Sequence, residues 1–260
     1  MAFARAICTI VRTRRRNARR VACRDFIILS LIVIVVRYHI CSKKNEKKAD
    51  WGRLSKFEKF GRLGDDEFLC VPIDFDYDLI ESQDNQYKEH THAAHGMLFA
   101  RNEMSWKFRG AVLMQIRCDG VYGFPGGLAE KEENPVDALN RKIVEETGLN
   151  HSRHIFSWDH HIQSYLHAKK QLVLHFFVME ITMDDLMEVA MKSLGAKEFG
   201  TEVFGIVQVP LFTMGDGFPG LSTFLSSQFS GNAAQELIRG IRHSTLLSED
   251  EMKIVINNSN

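Results

Sequence analysis

Three carboxylates and an arginine stand at fixed intervals in one stretch of this chain. Gly127 is followed by Glu133, then Arg141, then Glu145 and Glu146, ahead of Gly148-Leu149. Such a set suits chemistry on a diphosphate. The oxygens of a diphosphate are negative and repel a nucleophile. Divalent cations neutralise that charge and orient water. Mg2+ and Mn2+ prefer oxygen ligands, carboxylates above all. A helix offers carboxylates on one face at spacings of three and four, and backbone carbonyls in the preceding glycine turn can add a ligand. Clustered carboxylates raise one another's proton affinity, so one can serve as a base. Arg141 can hold an acidic partner such as Glu133 in place.

These residues need a helix, and the sequence supplies one over 134–147. Asn134 is a suitable N-cap and Pro135 falls at the first helical position. Asp137 places negative charge in the first turn, and Gly148 is a C-terminal stop. Ala138, Leu139 and Ile143 give a partial apolar face. Before the helix, residues 95–100 (HGMLFA) and 109–117 (RGAVLMQIR) suit strands. Asp119-Gly120 is a turn pair, and Val121 to Phe124 begins a return strand. Pro125-Gly126-Gly127 reads as a break. After the helix, residues 171–181 (QLVLHFFVMEI) and 202–209 (EVFGIVQV) read as strands, with Pro210 as the stop. Residues 184–194, 221–228 and 232–246 read as helices. This order predicts an α/β sandwich.

The spaced set resembles the Nudix box, G-x5-E-x7-R-E-U-x-E-E-x-G-U, where U is a bulky apolar residue. Gly127, Glu133, Arg141, Ile143, Glu145, Glu146, Gly148 and Leu149 match in register. One position departs: Lys142 stands where the pattern has Glu. Lys142 lies four residues before Glu146, near the face where that Glu would bind metal, and the two could also form a plain ion pair. An ammonium near the metal face would oppose a cation. At about 4 Å and an effective dielectric near 20, a like-charge contact costs about 4 kcal/mol before screening.

The likeness extends from about His92 through the 232–246 helix. It is similar to the snoRNA-decapping and inosine-diphosphatase branch of the Nudix family. His92-Ala-Ala-His95, VLMQIRCDGVYGFPGGL at 112–128, LHFFVMEIT at 174–182, TEVFGIVQVPLF at 201–212 and FPGLSTFLSSQF at 218–229 carry it. The resemblance implies a Nudix α/β/α sandwich with a mixed sheet and a catalytic loop-helix-loop. It implies hydrolysis of nucleoside-diphosphate-linked substrates, such as inosine diphosphate or the methylguanosine cap of snoRNA, with Mg2+ or Mn2+. By position, Glu133, Arg141, Glu145 and Glu146 match catalytic places, and Gly126, Glu145 and Glu146 match metal places. His95, Arg117 and Phe124 match residues that hold the base and phosphates. The branch uses a glutamine in its C-terminal helix, where this chain has Glu236 beside Gln235. It also includes syndesmos-like relatives that have lost box carboxylates and act as binding proteins. Lys142 makes an RNA-binding or scaffold role the alternative.

The residues themselves leave choices open. Phe124 can stack on a purine or fill core. Arg117 can fork onto phosphate. His95 can meet a ligand or sit satisfied inside. His160-His161 suits a loop better than a metal site, and Cys118 suits an inert, half-buried thiol.

The formal charge of the chain is zero, but it is unevenly spread. Residues 1–48 hold nine Arg and four Lys against Asp25 and Glu46, a net +11, so the remainder carries −11. An acidic body repels polyphosphate unless a metal or a local basic groove intervenes. The five cysteines form no CxxC pair, which disfavours a disulfide framework or zinc site. A reducing compartment, nucleus or cytoplasm, fits. Residues 26–36 (FIILSLIVIVV) are apolar but short of the roughly 20 needed to span a bilayer. Targeting, membrane contact through this run, or a disordered extension all suit it. Residues 42–66 read as linker. The expected division is 1–66 as basic extension and 67–260 as the Nudix domain, acting on a nucleotide or capped RNA, in a family that is often dimeric.

Overall fold

The computed structural model describes residues 70–259, apart from 81, 83–84, 103–108, 150–151, 214–216 and 218–219. The basic extension, the apolar run at 26–36 and the linker at 42–66 lie outside the described residues. All described residues fall in the unit Leu63–Asn260.

Eight strands form one mixed sheet: β1 (Val71–Ile73), β2 (Thr91–Arg101), β3 (Gly110–Arg117), β4 (Tyr122–Gly123), β5 (Gly126–Leu128), β6 (His161–His167), β7 (Leu172–Glu180) and β8 (Val203–Gln208). The path runs β1-β6-β7-β2-β3-β4, with β5 on β2 and β8 on β3. β2 and β7 run parallel, and the other pairs are antiparallel. Among the described residues five α-helices accompany the sheet: α1 (Pro135–Thr147), α2 (Met183–Lys192), α3 (Gly220–Leu225), α4 (Ala233–Ser244) and α5 (Glu249–Asn258).

Alternation along the strands builds a core on each face. Ala93, Met97 and Phe99 of β2 join Phe176 of β7 and Leu237 and Ile241 of α4. Ala94, Leu98 and Ala100 join Phe177 and the α1 residues Val136, Leu139 and Ile143. The result is the expected α/β/α sandwich. β2 and β3 pair only from Leu98–Arg101 to Gly110–Leu113 and then part. Residues 122–128 enter the gap, β4 on β3 and β5 on β2. The segment expected as a break at Pro125-Gly126-Gly127 is therefore partly strand. Its backbone groups find partners on β2, which sequence alone did not reveal.

α1 has the ends its sequence predicts. The Asn134 side chain accepts from the Val136 N–H at 3.0 Å, and Gly148 closes the helix at φ +68°. The His160-His161 pair is not a loop pair: His161 opens β6.

That strand carries part of a hydrogen-bonded chain of imidazoles. His92 Nε2 meets the Tyr87 carbonyl at 3.1 Å and His92 Nδ1 meets His175 Nε2 at 2.9 Å. Ser164 Oγ lies 2.8 Å from His175 Nδ1 and 2.9 Å from His161 Nε2. A carbonyl only accepts, so His92 Nε2 donates to it. His92 Nδ1 then accepts from His175 Nε2–H, and His175 Nδ1 accepts from the Ser164 hydroxyl. Ser164 Oγ in turn accepts from His161 Nε2–H. One neutral tautomer at each ring satisfies the whole chain. Burial is the leading cause that depresses all three: His92 is lowered, His161 falls to about 4, and His175 falls well below the ordinary 6.5.

The unfolded chain takes up these protons first. The network's stability is therefore complete above about pH 6.5 and is lost as pH falls towards the folded values. Thermal melting should drop by several degrees between about pH 7.5 and pH 5. Most of the drop should come before the carboxylates protonate. A flat profile across that window would rule out the neutral relay.

Candidate functional site

The exposed side of α1 and the strand β5 beside it bring the box residues together. Arg141 grips Glu133 with both branches of its guanidinium, Nε to Oε1 at 2.9 Å and a terminal nitrogen to Oε2 at 2.7 Å. Glu133 also accepts from the Glu130 N–H at 2.8 Å. These bonds, the Arg141 one first, hold the Glu133 carboxyl below its usual range. A fork of this kind fixes the loop ahead of α1 to the helix.

Glu146 turns inward and is buried. Its Oε2 accepts from Gln115 Nε2 at 2.9 Å and from the Gly126 N–H at 3.1 Å. Burial pushes its pKa up, and the two bonds partly offset that rise. Gly126 tolerates no side chain. Its φ is +138°, and a Cβ would stand 2.1 Å from the Ala94 carbonyl oxygen. Gln115 was not singled out from the sequence. A polar residue inside the apolar run RGAVLMQIR was the available signal.

Glu145 faces three cations. The Lys197 ammonium pairs with its Oε1, while Arg141 and Lys142 lie 3.7 and 3.9 Å from its Oε2. The Lys197 bond is the first cause holding its pKa down. Lys142 itself, 17% exposed, reaches Glu202 at 3.3 Å. The plain Lys142–Glu146 pair, one of the two alternatives, is thus not formed. Glu146 points into the core, and the lysine stem lies along Gly127 towards β8. The backbone joins the same parts, since the Glu198 N–H donates to the Glu145 carbonyl at 3.0 Å.

These donors do not fit a divalent ion as arranged. Both Glu133 oxygens are held by Arg141, and Glu145 is covered by ammonium groups. The bonded oxygen of Glu146 already accepts two N–H bonds. Among the described residues no group of three or more His, Cys, Asp or Glu side chains is arranged to hold a metal. Cation entry requires Lys197 and Lys142 to move away.

The three residues expected to contact substrate sit differently from one another. His95 is 23% exposed and places Nδ1 3.3 Å from Glu236 Oε2. It is the cross-strand partner of Gly126. Arg117 is half-buried and paired with Asp119 at 3.2 Å. Phe124 is only 3% exposed and packs on Phe176 with ring centroids 5.4 Å apart, the core placement that its sequence also allowed. It belongs to the same core cluster as Met97, Phe176 and Leu237.

The chain matches the family described as Nudt16-like, U8 snoRNA-decapping enzyme-like, over residues 92–247. It is 37% identical over 182 residues to the U8 snoRNA-decapping enzyme of Homalodisca vitripennis, covering 68% of this chain and 94% of that one. The mouse U8 snoRNA-decapping enzyme is 35% identical over 161 residues, covering 60% of this chain and 83% of its own. The human Tudor-interacting repair regulator protein is 30% identical over 168 residues, covering 62% and 78%.

Two substitutions test the geometry. Gly126→Ala should destabilise the protein by roughly 2–4 kcal/mol or prevent folding, read from the urea midpoint. Lys197→Ala should leave the melting temperature unchanged, because the side chain is 68% exposed. It should also tighten Mn2+ binding by about threefold or more in calorimetric titration. An unchanged Mn2+ isotherm would mean that Lys197 does not guard Glu145.

Proposed function

The chain belongs to the Nudt16-like, U8 snoRNA-decapping enzyme-like family of Nudix hydrolases, and on that premise we propose that it recognises a diphosphate-linked nucleoside and hydrolyses it at a rate held down by Lys142. The substrate class is a free nucleotide such as inosine diphosphate, or the methylguanosine-capped 5′ end of an snoRNA. Homology to decapping enzymes supports a capped RNA. The Nudix family is typically dependent on a divalent metal, so Mg2+ or Mn2+ is the expected cofactor.

One observation carries the reading. Lys142 occupies the box position that calls for a carboxylate, and its ammonium lies among Glu202 and Glu145. The site therefore lacks one negative ligand and gains one positive charge. What this chain's own residues do follows from their bonds. Arg141 holds the loop through Glu133, while Gln115 and the Gly126 N–H orient Glu146. Burial raises the proton affinity of Glu146, the direction a general base needs. The basic extension at 1–48 supplies attraction for an RNA backbone that the acidic body does not.

A second reading has its own support. With Lys197 and Lys142 both on Glu145, the fold can serve as a capped-RNA or scaffold binder without turnover.

Lys142→Glu in the full chain separates the two. Nucleoside monophosphate release from inosine diphosphate and from a capped RNA, with Mn2+, should rise by about tenfold or more. Glu146→Gln should abolish whatever turnover exists. Folded Lys142→Glu protein with no turnover on either substrate would overturn the hydrolase reading and leave the binding role.

A further inference from the structure

The chain just after β1 and the turn just before β6 bring three aromatic rings together in near-parallel planes. Trp158 stacks on both others. Phe75 lies 6.3 Å from it, centroid to centroid, with planes 17° apart, and Tyr77 lies 5.4 Å from it with planes 7° apart. Phe75 and Trp158 serve the fold. Both are half-buried and both meet the His175 ring edge-on, at 4.7 and 5.4 Å, so they cover the imidazole chain. Tyr77 has no such duty. It is 41% exposed and meets no ring but Trp158. Its hydroxyl bonds no described residue. One face of the phenol is thus stacked, and the other is open.

The residues around these rings are acidic. Asp74, Asp76 and Asp78 alternate with Phe75 and Tyr77, and Asp159 follows Trp158. All four are exposed, and among the described residues none of them forms an ion pair. The Asp76 side chain accepts the Asp78 N–H at 3.0 Å, which caps the short turn Tyr77–Leu79 and fixes the ring between two carboxylates. The charges alone would be an ordinary solvated rim. The open ring that they enclose sets them apart. This face belongs to the β1–β6 side of the sheet, with β7 and β2 between it and β5. Asp74 to Asp78 also precede the family match at 92–247. The surface is therefore separate from the box.

We infer that this face is a docking surface for an arginine-rich segment of a partner protein. Aromatic faces are electron-rich and attract cations. The ring geometry selects among them. A quaternary ammonium is best enclosed by rings that stand as walls around it, whereas these rings offer one open plane. A guanidinium is itself planar. Laid on the free face of Tyr77 it extends the stack, and its N–H groups point outward to the carboxylates, which accept them in pairs. A lysine ammonium is compact and strongly hydrated, so it gains the charge attraction but little from the plane. The four unpaired carboxylates repel a phosphodiester backbone, which makes the partner a protein and not a nucleic acid. The inference does not depend on turnover at the box.

The test is fluorescence anisotropy of dye-labelled nona-arginine and nona-lysine titrated with the full chain at about 0.15 M salt. Ratios between variants are read, so the chain's own arginines enter every titration alike. The wild type should bind nona-arginine about threefold or more tighter than nona-lysine, the scale of an exposed cation–π contact. Tyr77→Ala changes no charge, and at this exposure it should leave the melting temperature near that of the wild type. It should weaken nona-arginine by about threefold and bring the two peptides level. Tyr77→Phe keeps the ring and should keep the preference. Asp78→Asn with Asp159→Asn should weaken both peptides. Equal wild-type affinity for the two peptides, or a preference untouched by Tyr77→Ala, would reduce the binding to general attraction by an acidic body and sink the assignment. Absence of binding to either peptide would overturn it outright.

Discussion

The buried carboxylate of Glu146 is the joint on which the site depends. It is reached by Gln115 from β3 and by the Gly126 N–H from β5, while its own backbone belongs to α1. Three elements thus meet on one oxygen. Removing either donor would leave a buried acceptor under-satisfied. The demand on Gly126 follows from the same joint. The N–H can approach only if the chain passes tightly against β2, and no residue with a Cβ passes there. The depth of α1 on the sheet is shared with Asn140, whose side chain donates to the Phe156 carbonyl and accepts from its N–H at 2.9 and 2.8 Å.

The exposed side of α1 is governed by charge. Arg141, Lys142 and Lys197 face Glu130, Glu133, Glu145, Glu198 and Glu202 in one continuous network. Such pairs add little stability where solvent reaches them. Their effect lies in which ligand the patch admits. A carboxylate already facing an ammonium gives up that partner before it can meet a dication.

Much of this was legible in the sequence because it was local. The caps of α1 stand within a few residues of what they cap. β2, β3 and β7 announce themselves as apolar runs. β6 did not, because HIQSYLH mixes polar residues with apolar ones. Three of those polar side chains (His161, Gln163 and Ser164) bond to other residues of the fold. α5 carries a capping pair, Ser248 and Glu251, but only Met252 of it is fully buried, and Ile254 is exposed. The polar partners of the site were out of reach for another reason. Lys197 lies 52 residues from Glu145, Glu202 lies 60 from Lys142, and Glu236 lies 141 from His95. Spacing patterns register neighbours on one helix, not contacts that topology creates. The partner of Lys142 was hidden for that reason: residue 146 lies on the same helix four places on, but residue 202 is the one met on its open side.

The parallel pairing of β2 with β7 bears on how the chain reaches this state. Thr91 to Phe99 lie beside Leu172 to Glu180, so the central pair closes a loop of some eighty residues. That loop contains β3, β4, β5, α1 and β6. Its closure entropy comes due before its contacts repay it. α1 can form early because its helix bonds and caps are local. The sheet that gives Glu146 its setting comes together with the long-range closure. The box helix has its bonds and caps within its own segment, but it becomes a site only where the long-range β2–β7 closure sets β3 and β5 beside it.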